Sequence, residues 1–120
     1  MDETPPNQEL FFEGGSEGQW IMTAVSLLLA PLWEELAFRN GLFRILHRFL
    51  PYGWATVIAA AVFASMHGSV SQFPGLMVLA LIWQAVRERT GSFWSSVMLH
   101  FYNNLLALLV MWVTLLSDAL

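Results

Sequence analysis

Pro31-Leu32-Trp33-Glu34-Glu35-Leu36-Ala37-Phe38-Arg39 places two adjacent carboxylates and an arginine inside an apolar run that extends from Trp20 to Leu46. An ionised side chain at bilayer depth costs roughly 2.5 to 3.5 kcal/mol on insertion scales, so three together need mutual compensation and mark a functional site. On a helix Glu35 and Arg39 are four residues apart and share a face, whereas Glu34 points about 100° away from Glu35. Arg39 therefore neutralises Glu35 and leaves Glu34 free to act as a general base.

The rest of the chain agrees that the stretch lies in lipid. Of 120 residues, 57% are hydrophobic and only 12% are charged, and the mean hydropathy is +0.57, which is not the composition of a soluble domain. The formal net charge of -4 is concentrated in Asp2, Glu3, Glu9, Glu13 and Glu17, and no Lys or Arg precedes Arg39. A nucleic-acid partner is excluded by the absence of a basic patch. With no cysteine there is no disulfide framework, thiolate metal site or cysteine nucleophile.

Residues 1–18 hold two prolines, three glycines and five acids, and read as an acidic, flexible tail whose one apolar cluster is Leu10-Phe11-Phe12. The acidic flank before Trp20 does not fit a secretory signal. Residues 19–120 read as one all-α transmembrane core, a polytopic bundle of about four membrane segments. The first is Trp20 to Leu46, bent by Pro31 and closed by Pro51-Tyr52-Gly53. Trp54 to Met66 and Phe73 to Val86 are shorter, and Phe93 to Leu116 follows the Thr90-Gly91-Ser92 break. Arg44 and Arg48 beside the first loop, and Arg87 and Arg89 beside the third, put those loops in the cytoplasm and both termini outside. Trp20, Trp54, Trp83, Trp94 and Trp112 fall near segment ends, as an interfacial belt requires, and Trp33 stands apart beside Glu34.

Depth follows from a rise of about 1.5 Å per residue. Glu34 lies 14 residues before Arg48, His67 lies 14 after Gly53 and Asn104 lies 13 after Gly91, so three segments deliver these side chains to one level. His100 is one turn away, on the same face as Asn104. Any one intramembrane His or Asn is commonly interhelical hydrogen-bond glue. Asn103 reads as a packing neighbour and His47 as an interfacial residue. A base, an imidazole on a second helix and two donors on a further one are together the groups needed to activate a water and stabilise an oxyanion.

Glu34-Glu35-x-x-x-Arg39, Phe63-x-x-x-His67 and His100-x-x-x-Asn104, in this order on separate apolar segments, resemble the three motifs of the CPBP intramembrane proteases, which include type II CAAX prenyl proteases and bacteriocin-processing or self-immunity proteins. Phe38-Arg39 followed by Gly41-Leu42-Phe43, and Arg89-Thr90-Gly91-Ser92, extend the likeness over residues 31 to 104. Two departures stand out: Asn40 replaces the glycine usual after the arginine, and the chain has fewer membrane segments than members usually have. The resemblance implies a peptidase in which Glu34 and His67 activate water, His100 and Asn104 form the oxyanion site, and Glu35 with Arg39 brace the first helix. It implies an integral, multi-pass protein of the cell membrane, in contact with lipid and acting on hydrophobic or lipid-modified peptides. No cofactor is expected. Zinc held by Glu34, His67 and His100 is the metal alternative, although no His-Glu-x-x-His helix supports it. A non-catalytic immunity or scaffold protein of the same fold, and a proton-relay transporter subunit, are the other readings.

Overall fold

The computed structural model describes residues 4–120, and among them every regular element is helical. They are α1 (Pro6–Glu13), α2 (Gly15–His47), α3 (Tyr52–Ser65), α4 (Phe73–Thr90) and α5 (Phe93–Asp118). α2 packs on both α3 and α5, α3 lies along α4 and α4 along α5, so the four helices close a ring. The molecule measures 53 × 32 × 18 Å, a slab less than two helix diameters thick.

The helix boundaries have local causes. Pro74 sits in the first turn of α4, where its missing N–H is no loss. Gly91 ends α4 with φ +65°, a left-handed conformation that side-chain-bearing residues resist, and its N–H returns to the Arg87 carbonyl. α3 follows Pro51, whose carbonyl accepts from the Ala55 N–H.

Two elements differ from the sequence reading. The acidic tail was expected to lack order over residues 1–18; residues 1–3 lie outside the described part, and beyond them Pro6–Glu13 is a helix. Its anchor is the single apolar cluster of the tail. Phe11 is 0% exposed, packs with Leu108 and Met111, and meets Trp112 edge-on at 5.2 Å between ring centroids. The long helix accordingly begins at Gly15, before Gln19.

The second difference is in α2, which passes through Pro31 as the one helix expected but without regular α-helical spacing throughout. It does so by widening to five-residue hydrogen-bond spacing over Val25–Leu29 and again over Glu35–Leu42. A wider turn relieves the clash of a proline ring with the carbonyl of the preceding turn.

Two helices, Gly15–His47 and Phe93–Asp118, are long and apolar enough to cross a membrane. α3 is apolar but 14 residues long, about 20 Å, and α4 ends in Arg87-Glu88-Arg89. Among the described residues, length and composition alone thus mark two spans. Three of the six tryptophans, Trp20, Trp54 and Trp94, are well exposed near helix ends, but Trp83 is not a belt residue: it is 3% exposed in the core with Phe38, Ala60, Phe63 and Ala80.

Candidate active site

The widened second half of α2 sets out the charged residues. Glu35 is fully buried, and its Oε2 lies 3.5 Å from Nε of Arg39 four residues on. Arg39 is itself buried, donates through Nη2 to the Ala80 carbonyl of α4 at 3.1 Å, and packs its guanidinium over the Phe63 and Trp83 rings. A buried guanidinium has too many donors for one carboxylate, and the carbonyl and aromatic faces take up the remainder. This pair is the one expected from the four-residue spacing.

Glu34 turns into the ring instead. Its Oε1 lies 3.9 Å from Nε2 of His67 and its Oε2 lies 3.0 Å from Nε2 of His100. One carboxylate thus stands between imidazoles from the end of α3 and from α5. Glu34 and His67 remain partly accessible, 22% and 29%, whereas His100 is buried at 2%.

The tautomers follow from the partners. His67 Nδ1 is 2.8 Å from the Phe63 carbonyl, which can only accept, so Nδ1 carries the proton and a neutral His67 presents a lone pair at Nε2 toward Glu34. His100 Nδ1 donates to Oε1 of Glu35 at 3.1 Å. Its Nε2 then faces a carboxylate oxygen at 3.0 Å, where two lone pairs would repel, so a proton belongs to that contact. The contact has ion-pair distance without the alignment of a hydrogen bond, since Oε2 of Glu34 has no hydrogen-bond partner among the described residues. With that proton, Glu34, Glu35, Arg39 and His100 sum to zero charge, the balance a buried cluster requires.

Three contributions were not visible in the sequence. Trp83 stacks on the His100 ring at 4.2 Å and 20° and holds its plane. Its signal was position, since Trp83 falls well inside the helix that ends at Thr90. Glu35 does more than neutralise Arg39, because it also orients His100. Phe63 sets its edge or face against His67, His100, Trp83 and Phe38, so the residue four before His67 is the hub of the aromatic packing.

Asn104 lies one turn along α5 from His100 and is not in the Glu34 contact. Its Nδ2 donates to the Ser26 carbonyl of α2 at 2.9 Å. Glu34, His67, His100 and Asn104 all line one cavity of about 590 Å³, whose walls include Met22, Leu76, Leu79, Ala107 and Met111. Asn103 lines it too, while His47 lies elsewhere, bonded to the Leu50 carbonyl and stacked on Phe43.

Glu34, His67 and His100, the trio considered for zinc, do converge. No group of three His, Asp or Glu side chains arranged to hold a metal ion occurs among the described residues. His100 meets a carboxylate through each ring nitrogen, so a metal at Nε2 would have to take the place of the proton in the contact with Glu34.

Neither the curated proteins nor the solved structures contain a match to this chain. The family of type II CAAX prenyl endopeptidases described as Rce1-like does match, over residues 16–106, a span that holds every side chain of the cluster. On that match, which covers more than half of its length, the chain belongs to the type II CAAX prenyl endopeptidase Rce1-like family.

Proposed function

We propose that the chain is an intramembrane endopeptidase that hydrolyses a peptide bond in a hydrophobic or lipid-modified CAAX-type substrate, without a metal. The family is one of membrane-embedded proteases, which supports hydrolysis in general. The observation that carries the specific reading is the Glu34 carboxylate between two imidazoles from other helices, at 3.9 and 3.0 Å.

In this reading a water donates to Glu34 Oε1 and to the Nε2 lone pair of His67, two acceptors too far apart to bond directly. Glu34 takes a proton as the oxygen attacks the scissile carbonyl, and returns it to the departing amine nitrogen as the C–N bond breaks. The proton between His100 and Glu34 resides on Nε2, where it faces the developing oxyanion, and the Asn104 amide supplies a second donor. Glu35 and Arg39 stay out of the reaction and hold His100 and the helix in place. The apolar walls of the cavity take the hydrophobic part of the substrate. Four membrane segments, a multi-pass topology and residence in the cell membrane belong to the same proposal.

The test is the purified chain in detergent, incubated with prenylated and unprenylated CAAX-type peptides and read by mass spectrometry. Cleavage that is lost in His67→Ala and survives a strong chelator is the expected result. Peptide bound but never cut overturns the enzymatic reading and favours a non-catalytic binder; proton-coupled uptake without cleavage favours a relay. Loss of cleavage on chelation, restored by zinc, overturns the metal-free mechanism.

A further inference from the structure

Asn104 reaches an unusual acceptor. In the widened turn of α2 the Ala30 N–H donates five residues back, to the Val25 carbonyl. The next donor in that register is residue 31, and a proline has no N–H to give. The Ser26 carbonyl is thus left without its four-residue donor, which is spent on Val25, and without its five-residue donor, which does not exist. Asn104 Nδ2 fills the position from α5 at 2.9 Å.

The amide torsion of an asparagine is broad, with no intrinsic well that would aim its N–H groups. Binding one N–H to a backbone carbonyl sets the amide plane and leaves the second N–H on the cavity-lining side chain. Ser26 and Pro31 lie on the same helix as Glu34, and Asn104 lies one turn from His100 on α5. The same bond therefore ties the donor to the base through backbone.

We propose that Pro31 is a positioning residue: by leaving the Ser26 carbonyl without a backbone donor, it creates the acceptor that orients Asn104 for oxyanion stabilisation. This rests on the peptidase reading above. Pro31 touches no reacting atom and acts only through Asn104.

The experiment is a double-mutant cycle on the full chain in detergent: wild type, Pro31→Ala, Asn104→Ala and both together, each measured for kcat, KM and Tm. Pro31→Ala returns a backbone N–H to α2 that competes for the Ser26 carbonyl. Its kcat should fall about tenfold or more with KM within about twofold, as misplacement of a catalytic group does. Asn104→Ala should lose about 10²-fold in kcat, and adding Pro31→Ala should lower it no further. Tm provides an independent reading, because Asn104→Ala should melt earlier than wild type and Pro31→Ala should restore that loss.

Wild-type kcat in Pro31→Ala, an equal loss of kcat with and without Asn104, or an unrestored Tm overturns the proposal. If Asn104→Ala does not fold, exchange of the Asn104 side-chain amide protons, slower in wild type than in Pro31→Ala, decides the same point, and equal exchange overturns it. A wild-type chain that cuts no peptide overturns the peptidase reading, and with it the catalytic role of Pro31. The Tm cycle still reports whether Pro31 creates the acceptor.

Discussion

At the scale of the residue, the two adjacent glutamates have opposite surroundings. Glu34 borders the cavity and faces two imidazoles, and Glu35 is sealed against Arg39 and His100. Glu34→Gln retains shape and removes the base, so turnover should fall by about 10²-fold or more. A purified Glu34→Gln that keeps over about a tenth of wild-type turnover contradicts a base whose loss is worth that much. Glu35→Gln and Arg39→Gln should instead lower Tm and activity together, since each strands a buried charge at a cost of about 3 to 5 kcal/mol. The double variant removes both charges and should melt above either single one; a lower or equal Tm would show that the two are not paired.

At the scale of the element, the helices are held in register by polar ties that reach across the ring. In one of them the Asn40 side-chain carbonyl accepts from Arg87, joining α2 to α4, while Arg87 also lies over the Phe93 ring at 5.5 Å. Arg87 is buried and its Nη1 has no partner among the described residues, so it has little reserve. Asn40→Ala should therefore destabilise by about 1 to 3 kcal/mol, the penalty for a buried donor left unsatisfied. Thermal melting checks it, and an unchanged Tm would make the tie incidental. α1 is held differently, by the burial of Phe11 against α5. Because α1 is only eight residues long and Phe11 is its buried anchor, Phe11→Ala should release it locally without unfolding the bundle. Limited proteolysis near Gly14 should then quicken while Tm moves little, and an unchanged cleavage rate would mean that α1 is held by something else.

At the scale of the whole molecule, 57% hydrophobic residues are spread over a slab 18 Å thick, so much of that surface faces outward. Leu28, Leu29, Trp33, Leu106, Leu109 and Val113 on the two long helices are all exposed. Contiguous apolar surface of this kind is solvated by lipid or by other protein. The chain should accordingly remain with membranes after extraction at alkaline pH and leave them only in detergent. Release into the supernatant by alkali alone would show that α2 and α5 do not span.

What the sequence determined by itself was local or periodic. Four apolar runs with turn signals between them specify four helices, and the Glu35/Arg39 spacing specifies their pairing, because both depend on neighbours along the chain. The shared level of Glu34, His67 and Asn104, with His100 one turn away, was countable for the same reason, as rise per residue is constant. The tertiary structure decided what depends on rotation and on contacts between helices. Trp83 moved from the belt to the His100 ring because its helix turns that face inward. Phe11 brought order to part of an acidic tail because α5 offers it Leu108 and Met111. Asn104 met Ser26 and not Glu34 because the path of α2 past Pro31 leaves one carbonyl unpaired, and no property of either residue type records where that carbonyl lies.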